Sequence, residues 1–327
     1  MKKALMIVLT LVMGLSVFSM SGCESYDYVI GILQYAPHPA LDKSNEGFKE
    51  ELQAWADEKG VKIKFDDNNA NGDDSNNRTI AQTLAAKRQM DMIFAIATPS
   101  ATLAVANAAD KKIPVVYTAV TDPVTAELTG RTHVTGTSDM ADDLIARQMD
   151  LLLAARSGDG KIAMLYCSSE TNSEVQVKAA ADYLKTKDVA ADDIKNYTVV
   201  DTNGLNVVLN QIVQDGVSVV YSPTDNLIAN NISSVGTKFK PVKIPFICGE
   251  GGMVDEGGLM AVGVDYKALG VQTAKIAIRV LEGTPAGDIA WEKAAANFAF
   301  TINDGYKTAM AYTQEQVDAF KEYADRV

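Results

Sequence analysis

The chain has 327 residues, 47% of them hydrophobic, and a formal net charge of −12. That length suits two medium-sized domains, and the composition is ordinary for a soluble α/β protein. The acidic balance, with no Lys/Arg cluster to offset it, argues against nucleic acid or an anionic membrane surface as partner, because both demand basic patches.

The N-terminus reads as a targeting segment. Lys2 and Lys3 precede an apolar stretch over residues 4–18, which closes on Met20-Ser-Gly-Cys23. So short a stretch with small residues at its end is a signal peptide, not a stable membrane span. Small residues directly before Cys23 resemble a bacterial lipobox, although Met20 stands where Leu is usual. Residues 1–22 are therefore expected to be the lipoprotein signal peptide and Cys23 the lipidation site; the alternative is plain secretion. Residues 23–27 then form a tether, and no later segment is long and apolar enough to cross a bilayer.

Six apolar runs follow, each ending at a polar cluster. They are Val29-Ile-Gly-Ile-Leu33 before Gln34, Met92-Ile-Phe-Ala-Ile-Ala97 before Thr98, and Pro114-Val-Val-Tyr117 before Thr118. The second three are Ile162-Ala-Met-Leu-Tyr166 before Ser168, Val217-Ser-Val-Val-Tyr221 before Ser222, and Ile244-Pro-Phe-Ile-Cys248 before Gly249. Such runs, alternating with helical patterns, predict buried parallel strands. Helices are expected over residues 45–59, 75–88, 100–111, 139–155, 173–186, 203–215, 225–234, 266–282 and 313–327. Further strands are expected over residues 259–264 and 297–302. The β-α alternation restarts after Asp139, which marks a boundary between two similar lobes. In open α/β sheets ligands sit beyond the carboxyl ends of the strands, so the polar clusters read as the rim of one cleft.

Enzyme chemistry fails on inventory. The chain holds no Walker loop, no Gly-x-Gly-x-x-Gly after its first strand, no G-x-S-x-G elbow and no His-Glu-x-x-His. Of its two histidines, His38 lies in a cleft cluster and His133 in an expected surface loop. Cys167 and Cys248 end strands and are expected to be free buried thiols, and no ligand spacing supports a metal or cofactor.

The clusters instead offer hydroxyls, amides and a few carboxylates. Thr98 and Ser100 open a helix, whose free N–H groups suit an anion; they serve as caps in any case. Asp225 and Glu250 end second-lobe strands, where a ligand ammonium would satisfy a buried carboxylate, although Asp225 also fits a plain N-cap. Tyr35, Tyr117, Tyr166 and Tyr221 share strand-end positions that suit an aromatic-lined pocket or packing against the next helix.

In order along the chain stand Gly31-Ile-Leu-Gln-Tyr-Ala-Pro-His-Pro-Ala-Leu-Asp42 with Gly47-Phe48, Ala97-Thr-Pro99, Thr121-Asp-Pro123, Ser168-Ser-Glu-Thr-Asn-Ser173, Pro223-Thr-Asp-Asn226, Gly249-Glu-Gly-Gly-Met253, and Gly263-Val-Asp-Tyr266 with Leu269-Gly270. Together they resemble the tryptophan/tyrosine-type family of ABC-transporter substrate-binding lipoproteins. The resemblance implies an α/β type I periplasmic-binding-protein fold, with two Rossmann-like lobes of parallel sheet joined by a three-crossover hinge. Residues 28–138 plus 264–292 would form lobe 1, and residues 139–263 plus 293–327 lobe 2.

Carried over by motif, Gln34, His38 and Asp42 would line the first-lobe wall. Thr98, Pro99, Ser100, Thr118, Ala119 and Thr121 would hold a carboxylate. Ser169, Glu170, Asn172, Asp225, Asn226 and Glu250 would close from the second lobe, with Asp265 of the last motif added. Cys167 stands where a polar residue is expected. The resemblance further implies a monomer anchored through Cys23 on the outer face of the cytoplasmic membrane, needing no cofactor. It would deliver an amino acid, aromatic by expectation, to an ABC permease. A ligand sensor for a membrane receptor, or a binder of another small solute, is the alternative.

Overall fold

A computed structural model describes residues 25–325, so the expected signal peptide and Cys23 lie outside the described residues. The first sheet takes β1 (Tyr28–Gln34), β2 (Ile63–Asn69), β3 (Met92–Ile96), β4 (Val115–Val120) and β5 (Val134–Ser138), linked in part through helices α1 (Pro39–Lys59), α2 (Asp74–Ala86) and α3 (Thr98–Ala108). The helix α4 (Leu144–Ala155) then leads into a second sheet of β6 (Ile162–Cys167), β7 (Ile194–Val199), β8 (Val219–Ser222), β9 (Phe246–Cys248) and β10 (Met260–Val264). Its connections are α5 (Thr171–Thr186), α6 (Thr202–Gln214), α7 (Asn226–Asn230), α8 (Ile232–Phe239) and α9 (Gly251–Glu256). Next, α10 (Tyr266–Leu281) returns to pack on α1, and β11 (Glu292–Lys293) joins the first sheet beside β5. Finally β12 (Phe298–Ile302) pairs with β10, and α11 (Asp304–Met310) and α12 (Gln314–Asp325) follow.

The two sheets share one strand order. Their orders are β2-β1-β3-β4-β5-β11 and β7-β6-β8-β9-β10-β12. Only β10 with β12 is antiparallel among the described pairings. The chain passes between the sheets three times: after β5, after β10 and after β11.

Sequence explains the layers. The strand β3 is buried along its whole length, as its unbroken Met-Ile-Phe-Ala-Ile run requires. By contrast β2 and β7 are edges, and their polar residues are exposed or half-buried. In α1, Phe48, Leu52 and Ala56 form the buried stripe, and Gly60 caps the C-terminus at φ 69°. Phe48 stacks on Phe94 of β3 with ring centroids 3.6 Å apart. Where α1 crosses α10, a Cβ on Gly47 would lie 2.2 Å from the Lys267 carbonyl oxygen, and one on Gly270 2.1 Å from that of Ser44. Only glycine permits so close a crossing.

Several expectations change. Strands β2, β5 and β7 lie outside the six apolar runs. The helix expected over 139–155 starts at Leu144, after Asp143 turns at φ 64°. The helix expected over 225–234 is two helices, α7 and α8. His133 is buried, 9% exposed, because it leads into β5 inside the first sheet. Cys167 and Cys248 are both free and buried, as expected.

Candidate functional site

In each sheet the strand order reverses between the first strand and its third-formed neighbour, at β1/β3 and at β6/β8. Ligands of open α/β sheets bind at such switch points. The two switch points face one another here. A narrow cavity lies between them, lined by His38 after β1, Thr98 after β3, Asn172 after β6 and Asp225 after β8. Across it Gln176 Nε2 donates to Thr121 Oγ1 at 3.1 Å, and His38 Nε2 lies 3.5 Å from Asn226 Oδ1. Lys43 and Asp255 pair at 3.6 Å beside it. The lobes are closed on the cavity.

Backbone strain collects on the first-lobe wall. Ala97, between β3 and α3, has φ 81°, and Ala119 at the end of β4 has φ 53°, where the pairing with β5 shifts register. Left-handed alanines are costly and cluster at ligand sites. Here they turn the start of α3 and the end of β4 toward the cavity. The N-terminus of α3 receives no side-chain cap, and the buried Thr98 Oγ1 has no partner. Uncapped N–H groups, the helix dipole and a free hydroxyl make an anion site.

Four carboxylates lie in or against the same cavity, and their hydrogen bonds separate them. Asp225 caps α7 by accepting from Ile228 N at 2.8 Å, and also accepts from Cys167 N at 2.6 Å and Ser173 Oγ at 2.7 Å. Glu170 accepts from Asn226 N, Asn226 Nδ2, Leu227 N and Asn172 Nδ2. Glu250 caps α9, accepting from Gly252 N and from Met253 N at 2.8 Å. Asp139, just past β5, accepts from Tyr266 Oη at 2.9 Å through Oδ2, while its Oδ1 meets no partner. Asp139 alone of the four keeps an oxygen free. Burial raises the pKa of Asp139, partly offset by the Tyr266 and Thr121 hydroxyls. Burial, then the Glu170 charge, raises that of Asp225.

Burial also pushes Glu250 up to about 7 and holds His38 down to about 4. The signs oppose. Glu250 binds its proton more tightly folded than unfolded, so its contribution is fully present below about pH 4.5 and is lost as pH rises through about 7. The neutral His38 contributes above about pH 6.5 and loses that as pH falls through about 4. Denaturant melts of the unliganded protein at pH 6.5 and 7.5 should therefore show stability falling with pH, and Glu250→Gln should flatten that fall. An unchanged slope in the variant would refute the assignment.

A family model described as ABC transporter substrate binding protein matches residues 29–322. This chain belongs to the ABC transporter substrate-binding protein family. Its curated relatives include the tyrosine-binding protein of Clostridioides difficile (strain R20291), 35% identical over 314 residues, or 88% of this chain and 86% of that protein. Among solved structures, the ABC domain in complex with L-Trp from Streptococcus pneumonia is 30% identical, with a TM-score of 0.77 over 89% of this chain and 98% of that one. The ligand-free, open substrate-binding protein with adhesive properties from Clostridium difficile is 32% identical, with a TM-score of 0.64 over 88% and 96%. The fold is the type I periplasmic-binding-protein fold that the sequence motifs imply. Members of this family bind a small solute for a membrane permease and are not enzymes.

Within this substrate-binding protein the cavity gathers His38, Thr98, Ala119, Thr121, Asn172, Asp225, Asn226 and Glu250 of the sequence-selected residues. Others stand apart. Gln34 donates to Ala36 O and Asp42 Oδ1, stitching the turn into α1. Ser100 Oγ donates to Asn77, and Thr118 shares a buried hydroxyl cluster with Thr137 and Thr273. Pro99, Ser169 and Glu170 line the outer mouth of the cleft with Tyr35, while the exposed Asp265 caps α10.

The strand-end tyrosines build no wall in the inner cavity. Tyr117 is buried against α3, Tyr166 packs in the second-lobe core, and Tyr221 Oη donates to Gln148. The aromatic that reaches the cavity is Tyr266, beside Leu41 and Met253. Sequence reasoning passed over Tyr266 and Asp139 as site residues. Among the described residues no cluster of three or more His, Cys, Asp or Glu is arranged for a metal, and no helix is long and apolar enough to cross a membrane.

Proposed function

We propose that this substrate-binding protein captures a free α-amino acid with an aromatic side chain and delivers it to its permease. The observation that carries this is a matched pair of open valences in one cavity. The uncapped start of α3 with Thr98 awaits an anion, and the free oxygen of Asp139 awaits a cation. A zwitterion satisfies both, and burying either group alone would be costly. The other carboxylates are taken up by backbone and side-chain donors, so Asp139 is the ammonium partner. Small side chains at Ala97, Ala119 and Ala229, with Leu41, Met253 and Tyr266, leave an apolar berth. The tyrosine named for one relative and the L-Trp bound in another support an aromatic ligand.

The lipobox at Met20-Ser-Gly-Cys23 supports attachment through a lipidated Cys23, which holds the binding lobes outside the cytoplasmic membrane. Cys23→Ser should move the protein from the membrane fraction to the soluble one.

The binding test is a thermal-shift screen of the protein, purified free of carried-over ligand, against the common amino acids. A ligand specific for the folded state adds about 2.7 kcal/mol at a hundredfold excess over its Kd. A shift confined to aromatic amino acids is expected; a flat response to all of them would refute the proposal. Ala119→Leu, which fills the berth, should abolish the shift.

A further inference from the structure

The side-chain pairs that span the cleft are of unequal strength. Lys43 and Asp255 are 51% and 50% exposed, so water and salt screen their attraction. His38 Nε2 and Asn226 Oδ1 stand 3.5 Å apart, at the limit of a hydrogen bond. Gln176 and Thr121 are 1% and 3% exposed and meet at 3.1 Å. Of these pairs it is the buried and well-formed one.

Gln176 lies one turn along α5 from Asn172 and Ser173, on the same buried face. It ties together two residues that line the cavity from opposite lobes, Thr121 and Thr224. Its Oε1 accepts from Thr224 N at 3.0 Å, which fixes the amide orientation. Nε2 then faces two hydroxyls and donates to both, Thr224 Oγ1 in its own lobe and Thr121 Oγ1 in the other. Two N–H groups meet two acceptors, so the amide is fully used. Thr121 Oγ1 serves as an acceptor here, and its own hydrogen is left for the neighbouring Asp139 carboxylate, whose charge it favours.

We propose that Gln176 is the latch of the closed cleft: its amide holds Thr224 of one lobe against Thr121 of the other, and so sets how long a bound solute is retained. The proposal rests on solute capture in this cleft, not on which solute is captured. The Thr121 bond forms only when the lobes meet, so losing it speeds opening and leaves encounter with the open cleft unchanged. The clasp needs no group beyond Gln176 and the two threonines, so it biases the unliganded protein toward closure as well.

The test is stopped-flow binding of L-tyrosine to the full chain in detergent, with neutron scattering of the unliganded protein in contrast-matched detergent. Gln176→Met keeps the length of the side chain and removes the donor. It should release L-tyrosine faster by about tenfold or more, equivalent to about 1.4 kcal/mol, with the association rate held to within about twofold. Thr121→Val removes the acceptor from the other lobe and leaves the Thr224 bonds intact, which covers the case in which methionine in that buried place costs the fold. Both variants should enlarge the unliganded radius of gyration, and the exposed Lys43→Met should change neither quantity. The double variant should release no faster than the faster single one. Effects that multiply in the double variant, unchanged release and radius, or equal acceleration in Lys43→Met would each overturn the latch. Failure of the parent to bind L-tyrosine would overturn the amino-acid reading alone, and the latch is then decided by the radius: no enlargement in either variant refutes it.

Discussion

Asp139→Asn should lower amino-acid affinity by about a hundredfold or more while leaving the unliganded protein at least as stable. Removing one partner of a buried, paired charge costs about 3–5 kcal/mol, and every 1.4 kcal/mol is about tenfold in affinity. The amide keeps the shape of the carboxylate and still offers an oxygen to Tyr266 Oη, so the contact across the two crossovers survives. What disappears is the charge that faces the ammonium. In the unliganded state that charge is a burden, since burial disfavours it and raises its pKa. Opposite signs make the result diagnostic. Calorimetry and thermal melting on the same preparation read both, and a parallel loss of affinity and stability would make Asp139 a structural residue instead.

Asp225→Ala should act on the fold first. The variant strands three donors in the second-lobe rim: Cys167 N at the end of β6, Ser173 Oγ in α5 and Ile228 N in α7. Each unpaired buried donor costs about 1–3 kcal/mol, so the loss is about 3 kcal/mol or more. At about 2–4 °C per kcal/mol for a domain of this size, the melting temperature should fall by about 6–12 °C. Ligand affinity should fall too, because these donors position Asn172 and Asn226. A melting temperature within a degree of the parent would show that water replaces the carboxylate, and the rim would then not depend on it.

The two predictions mark where the sequence was readable. Central strands such as β3 and β8 are continuous apolar runs because helices cover both their faces, and that pattern is local. The edges β2 and β7 carry Asp66, Asp67 and Asn196 because one flank meets solvent, which breaks the run. The strand β5 is different: it is buried yet reads Val-Thr-Gly-Thr-Ser. Its hydroxyls bond across to Ile289 O and Thr273, and a Cβ at Gly136 would strike the Tyr117 carbonyl. No apolar run announces that strand, so Asp139 at its end went unread as a site residue. The tyrosines failed for a related reason. A strand-end position does not reveal which face its side chain takes, and Tyr117 and Tyr221 turn inward toward the cores. Capping by Asp225 was legible in Thr224-Asp-Asn226; the saturation of Glu250 by its own helix was not.

The return of α10 and β11 to the first sheet sets an order of events during synthesis. The crossing at Gly47 and Gly270, and the strand that covers the outer flank of β5, belong to residues made after nearly the whole second sheet. A chain exported N-terminus first therefore emerges with one side of α1 bare and one sheet edge open, until Lys293 has passed through. During that interval the apolar stripe of Phe48 and Leu52 lacks its full cover, and an open parallel edge invites pairing with a neighbour. The half of the protein translated first is completed late, so holdase chaperones have the most to do for this chain before its C-terminal fifth arrives.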